Sequence, residues 1–203
     1  MDFYINLAIS TFFFGFPLLT TALVHGTCIK FDWIPWSKKP LDFGKTFRGK
    51  RLFGPNKTWR GLLMACIGCL LGMYALYFLE KHWEPFSQKY AFFSYQHLSL
   101  WALALAFGVG MTLGELPNSF LKRQFEIQSG KQGRGFLGVF FILFDQVDLL
   151  VGVWCLTPLV VPPSAFREGL FWWACGASIL LTAIIHFLLT LIGYQLGMRK
   201  TWL

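Results

Sequence analysis

Charge is what this chain has least of: Asp, Glu, Lys and Arg make up 14% of its 203 residues, against 55% hydrophobic residues. A soluble domain carries about a quarter charged residues, so a soluble globular fold is excluded. Cysteine provides no disulfide framework. Cys28, Cys66, Cys69, Cys155 and Cys175 are odd in number and lie mostly within apolar runs, where a thiol behaves as a small hydrophobe. Cys66 and Cys69 have the redox spacing but no thioredoxin-like pattern around them, and packing explains them better. No cleavable leader is expected either. The first apolar run follows Asp2 rather than a basic flank and has no small-residue cleavage pattern, so it is expected to be a retained helix. His25, His82, His97 and His186 are dispersed, with no second ligand at metal spacing. The letters G-x-G-x-x-G occur at 133–138, but no strand precedes them. Those glycines suit a close turn into a helix, not a dinucleotide.

What remains is apolar and long. Five runs, 3–24, 62–79, 98–114, 136–161 and 170–196, approach or exceed the roughly 20 residues that cross a bilayer as a helix. The expected fold is therefore an all-α polytopic membrane protein with five transmembrane helices, forming one integral-membrane domain over 1–203. Fifteen of the 18 Lys and Arg fall in the loops 25–61 and 115–135 or in the tail at Arg199 and Lys200; only Lys81, Lys89 and Arg167 lie on the other side. The positive-inside rule puts those loops and the C-terminus in the cytoplasm and the N-terminus outside. Trp33, Trp36, Trp59 and Trp202 flank the inner ends and Trp83, Trp172 and Trp173 the outer ends, as interfacial rings should; Trp101 and Trp154 fit less well. The net charge of +8 is thus concentrated on one membrane face. That distribution suits anionic membrane lipids and not nucleic acid. Gly68/Gly72 and Gly110/Gly114 have the small-xxx-small spacing that brings membrane helices together.

Two acids stand inside the fourth run. Asp145 and Asp148 each cost about 2.5 to 3.5 kcal/mol at the centre of a membrane helix, so a metal, a basic partner or a water-filled cleft must offset them. Their i, i+3 spacing points both at the same ligand or neighbour.

Residues 43–61 read FGKTFRGKRLFGPNKTWRG, with four glycines and two Lys-Thr pairs, Lys45-Thr46 and Lys57-Thr58. Glycine lets backbone N–H groups approach an anion, lysine and arginine neutralise it, and threonine donates to its oxygens. A polyphosphate site needs those features. This one is not a P-loop, because neither Lys-Thr pair has the required glycines and no strand precedes it. At 114–123 the chain reads GELPNSFLKR. Pro117 is expected to break the helix just past Glu115, which restarts with Asn118 or Ser119 as its cap; Lys122 and Arg123 then complete a second anion site. Glu115 stands at its edge, available to a metal or to a salt bridge with Lys122 or Arg123. Three carboxylates near two basic clusters suit Mg²⁺, which prefers a few carboxylates plus substrate phosphates, and hence phosphoryl or nucleotidyl transfer.

At GPNKTWRG (54–61), GELPNSFLKR (114–123) and DQVD (145–148) the chain resembles the CDP-archaeol synthase family, relatives of the phosphatidate cytidylyltransferases that make CDP-diacylglycerol. The resemblance implies an integral-membrane cytidylyltransferase of phospholipid biosynthesis. Such an enzyme joins CTP to a lipid phosphate, phosphatidate-like or isoprenoid ether-linked, releasing pyrophosphate with Mg²⁺. It makes Asp145, Asp148 and Glu115 the metal-holding acids and Ser119, Lys122 and Arg123 the phosphate-handling segment. Asn56, Lys57 and Thr58, with Lys45 and Thr46 before them, belong to the nucleotide loop. Asp145, Asp148, Lys122 and Arg123 are the catalytic candidates. One position departs: Gly114-Glu115 replaces the family's usual Gly-Asp and carries the carboxylate one methylene further out. The rival readings are a CTP-dependent lipid kinase, which attacks the γ-phosphorus and needs a base, an inactive nucleotide-binding relative, and a transporter.

Overall fold

The computed structural model describes residues 2–129, 131, 133, 135–167 and 170–195. Arg134, Arg199, Lys200 and Trp202, and the side chains of Gln146 and His186, lie outside the described residues. Five long helices carry the fold: α1 Asp2–Lys30, α2 Trp59–His82, α3 Leu100–Gln124, α4 Gly135–Leu156 and α5 Phe171–Gln195. The first three are long and apolar enough to cross a membrane. A fourth span is added if the segments Gly135–Asp145 and Val147–Leu159, bent by 45° to each other, are one crossing. Within α5 the apolar helix Phe171–Ile184 is shorter than these spans. The chain is therefore mainly helical, with three to four candidate spans among the described residues.

The expectation of an all-α chain needs one correction. In the first loop β1 (Thr46–Phe47) and β2 (Lys50–Arg51) pair antiparallel, with Thr46 opposite Arg51 and Phe47 opposite Lys50. Arg48 and Gly49 join them with φ of 52° and 78°. Positive φ at both central residues matches the twist of a tight hairpin, and the Gly makes it affordable to the backbone. Helix α1 also continues past residue 24 to Lys30. Helix α2 starts where Thr58 caps it, its hydroxyl accepting from Gly61 N–H at 3.1 Å.

These helices are apolar on all sides, so amphipathicity does not choose which faces meet. Small residues do. A Cβ on Gly68 would lie 2.4 Å from Thr21 Cα, and one on Gly72 would lie 2.6 Å from Pro17 Cα, where α2 meets α1. A Cβ on Gly114 would lie 2.1 Å from the Asp148 carbonyl oxygen, and one on Gly110 would lie 2.8 Å from that of Gly152, where α3 meets α4. The α3–α4 contact is the most extensive in the fold, followed by α1–α2 and α2–α3; α5 lies against α1 and α4. Trp154, which fits no interfacial belt, is a core residue. It stacks on Phe14 at 4.6 Å between ring centroids, and its indole N–H donates to Ser178 Oγ at 2.7 Å. Thus Trp154 joins α4 to α1 and α5.

Helix α3 overturns the expected break at Pro117: it is continuous from Leu100 to Gln124, with Pro117 inside it. Proline removes the N–H that would bond the Leu113 carbonyl. Tertiary packing holds the helix through that gap, because the turn containing Gly114 is pressed against the α4 backbone. No helix N-terminus therefore exists at Asn118 or Ser119. Lys122 and Arg123 occupy the last turn of α3 instead, where the helix dipole favours cations.

Candidate active site

The close α3–α4 contact carries Asn118, one turn beyond Gly114, into the face where α4 presents its two acids. The Asn118 amide nitrogen donates to Asp145 Oδ1 and to Asp148 Oδ2, each at 2.5 Å. One turn further along α3, the Lys122 ammonium reaches both oxygens of Asp145 at 2.5 and 2.6 Å and lies over the Phe141 ring. Asp148 is buried, and its Oδ1 accepts from Leu149 N–H at 2.7 Å. The insertion cost of the two aspartates is thus met in different ways, by a lysine for Asp145 and by neutral N–H donors for Asp148. The 45° bend of α4 falls between Asp145 and Val147, at this cluster.

Glu115 does not join it. Its carboxylate pairs with Lys57 at 2.5 Å, and not with Lys122 or Arg123. The longer side chain, on the face of α3 turned to the first loop, reaches the loop lysine. Among the described residues no three His, Cys, Asp or Glu side chains come close enough to hold a metal ion. The expected trio of Glu115, Asp145 and Asp148 is therefore not assembled. Asp145 and Asp148 are, and Asn118 stands between them with its Oδ1 buried and without a hydrogen-bond partner. Two carboxylates and a neutral amide oxygen are hard donors of the kind a divalent cation takes, so this part of the site fits such an ion.

The first loop folds on itself and is drawn against α3. The isolated bridge Pro40–Thr58 and the bonds from Leu41 N–H to Lys57 O and Trp59 N–H to Lys39 O fold it back on itself. Gly54, at φ 96°, packs on Arg123 and Ser129. Lys50 donates to the Gln124 carbonyl at 2.7 Å and so caps the end of α3. Asn56, Lys57 and Thr58 line a polar cavity of about 190 Å³ with Glu115, Thr112 and His25. Arg123 donates to Ser129 Oγ, while Ser119 is half-buried on α3. Lys45 and Thr46 are exposed on the hairpin and are not brought into this cavity. Thr58 is already committed as the α2 cap.

Three contributors escaped sequence reasoning. Asn118 looked like a helix cap because of the proline before it. His25 had no partner at sequence spacing; it meets Glu115 and Lys57 only through tertiary contact. Asp42, buried beneath the hairpin, accepts from Gly44, Phe53 and Gly54 N–H at 2.9, 3.1 and 3.2 Å and from Arg51 at 2.7 Å. The Asp-x-Gly spelling at 42–44 is an Asx-turn signal that could have found it. Burial by itself would raise the Asp42 carboxyl. Arg51 and the three N–H donors outweigh burial and hold it down at about 2, against an ordinary 3.8. A depressed carboxyl contributes stability above its unfolded value and loses it as the pH falls through its folded one. The loop should accordingly resist pepsin at about pH 4 and open to it as the pH falls through about 2. In Asp42→Asn it should be cut already at the higher pH; equal cleavage of both proteins across that range would remove this role from Asp42.

A family described as CarS-like, CDP-archaeol synthase, matches residues 5–203. The CDP-archaeol synthase of Methanosarcina barkeri is 29% identical over 167 residues, covering 80% of this chain and 89% of the relative. That of Archaeoglobus fulgidus is 30% identical over 167 residues, covering 79% and 82%. A solved intramembrane enzyme for archaeal membrane lipids biosynthesis superposes with a TM-score of 0.52 at 19% identity, covering 85% of this chain and 91% of that one, a likeness of fold. The family match spans both basic loops and the acid pair on α4. With nearly the whole sequence inside it, the chain belongs to the CarS-like CDP-archaeol synthase family.

Proposed function

We propose that this chain transfers the cytidylyl group of CTP to an isoprenoid ether-lipid phosphate at the cytoplasmic face of the membrane, with Mg²⁺ held by Asp145 and Asp148. The reaction class follows from the family: the chain is a CTP-dependent cytidylyltransferase, a nucleotidyltransferase making a CDP-activated lipid for membrane lipid biosynthesis. The acceptor, the metal, the site residues and the orientation are our reading. The relatives' name favours an archaeol-type phosphate over a fatty-ester phosphatidate. The distribution of Lys and Arg supports five crossings in a single domain over 1–203, with the N-terminus outside and the C-terminus cytoplasmic.

In the reaction, a lipid phosphate oxygen attacks the α-phosphorus of CTP in line. The bond to the bridging oxygen breaks and pyrophosphate leaves. No base is needed, because the acceptor is already ionised at neutral pH. Asn56, Lys57 and Thr58 bind from the first loop, and Ser119, Lys122 and Arg123 bind phosphate oxygens from α3. Asn118 orients both aspartates. A divalent cation bound there supplies neutralisation of the triphosphate charge. Glu115 keeps Lys57 in place and lies outside the metal set.

The observation that carries the reading is the convergence of Asp145, Asp148, Asn118 and Lys122 at the bend of α4. Incubation of the purified protein with Mg²⁺, CTP labelled at the α-phosphate and an archaeol-type phosphate should move label into lipid and release pyrophosphate in equal amount. Release of CDP with unlabelled lipid would mean a kinase instead, and neither product with any lipid phosphate would leave an inactive relative.

A further inference from the structure

Two cavities on the helices share part of their walls. The larger, about 350 Å³, is apolar and lies among α1, α3, α4 and α5, with Phe12, Gly15, Leu18, Leu149 and Leu181 in its wall. The smaller is the polar cavity of about 190 Å³ beside Asn56, Lys57 and Thr58. Thr21, His25, Met111 and Glu115 line both. An apolar chamber that ends on an imidazole and adjoins a more polar one has the polarity of a lipid phosphate. Its length takes hydrocarbon, and its polar end takes an anion. At that end the Glu115 charge is already balanced by Lys57 at 2.5 Å, so it does not oppose a second anion. His25, half-buried on α1 near Arg60 and Lys57, has an imidazole N–H to donate to a phosphate oxygen.

We infer that the apolar cavity seats the hydrocarbon chain of the acceptor and that His25 receives its phosphate at the junction of the two cavities. The inference rests on the proposed function and names the place from which the acceptor reaches the nucleotide. A second apolar cavity, about 230 Å³ between Leu113, Phe144, Val151 and Cys155, lies on the other side of the α3–α4 pair. It touches Asp148 but has no wall residue in common with the polar chamber, so a chain seated there would end away from the loop cations.

Gly15 provides the probe. It lies in the wall of the larger cavity, and a Cβ there would meet nothing within 4 Å, so a side chain added there starts into open space beside the cavity. Gly15→Leu should lower kcat/KM for a lipid phosphate with long isoprenoid chains, relative to one with short chains, by about tenfold or more. Gly176→Leu, equally open but on the exposed surface of α5, should keep the wild-type ratio. His25→Ala should raise KM for the lipid phosphate by about 10- to 100-fold with the Kd for CTP little changed, and His25→Gln should recover part of the loss. A merely structural histidine would shift CTP binding and the melting temperature as well. A lipid phosphate carrying a photoreactive group on its chain should label 12–19 of α1 and 178–182 of α5, without any need for turnover. Label confined to 113–117 and 151–156, or an unchanged chain-length ratio in Gly15→Leu, would overturn the assignment. A wild-type protein that transfers no cytidylyl group but is labelled in α1 and α5 would refute the proposed reaction and leave the cavity assignment standing.

Discussion

Asp148→Asn is expected to lower cytidylyl transfer on the order of a thousandfold while leaving the protein folded. The two consequences have opposite physical origins. Asp148 is buried on α4, and its contacts are the Asn118 amide at 2.5 Å and its own neighbour's N–H at 2.7 Å. An asparagine occupies nearly the same volume and still offers one oxygen to Asn118, so the bond between the helices survives at the cost of the acceptor facing Leu149 N–H. The negative charge is what disappears, and with it an insertion cost of about 2.5 to 3.5 kcal/mol. Stability should therefore be equal or higher, and divalent-cation binding weaker. Asp145→Asn should behave differently. It leaves the Lys122 ammonium without its carboxylate in apolar surroundings, so activity and stability should fall together, the latter by up to about 3 kcal/mol. The pair of variants separates loss of metal binding alone from its loss together with an ion pair. Measured side by side, transfer from labelled CTP and thermal unfolding in detergent decide the matter. If Asp148→Asn retains wild-type turnover, the acid has no part in the chemistry.

The helices were legible because hydrocarbon thickness leaves few alternatives: an apolar run of the right length has to be helical in lipid. The acid pair was legible for the same reason, since an uncompensated carboxylate in such a run is too costly to be incidental. Side-chain pairing was not legible. Glu115 could be placed near lysines from spacing along one helix, which pointed to Lys122 or Arg123; its actual partner, Lys57, comes from a loop 58 residues earlier in sequence. Pro117 misled because local backbone preference was weighed without the α4 backbone packed against that turn. Asn118 was misread for the same reason: a residue after a proline resembles a cap until the neighbouring helix supplies two carboxylates. His25 illustrates the other limit, as it carries no motif and meets Glu115 and Lys57 only when the first loop folds back on the bundle.

Gly152→Ala is expected to damage fold and catalysis together, although it adds a single methyl group. A Cβ at Gly152 would stand 2.0 Å from the Gly110 carbonyl oxygen, 2.6 Å from Gly114 N and 2.7 Å from Gly114 Cα. All three are backbone atoms of α3 and cannot rotate away. Relief requires α3 and α4 to separate by an ångström or more, in the most extensive helix contact of the molecule. That separation should cost about 1 to 3 kcal/mol or more, read as a lower melting temperature. It also acts along the seam, because Asn118 follows Gly114 by one helical turn and Asp148 precedes Gly152 by one. The Asn118 bonds to Asp145 and Asp148, 2.5 Å each, lie in the path of the displacement, and hydrogen bonds weaken steeply beyond their normal range. A misplacement of about 1 Å in a catalytic group costs on the order of a hundredfold in rate. Gly15→Ala, at an open position on α1, is the control for the added methyl and should melt no lower than the wild type. Should Gly152→Ala melt as the wild type does and turn over at the wild-type rate, the close approach of α3 and α4 is not what holds the acids in place.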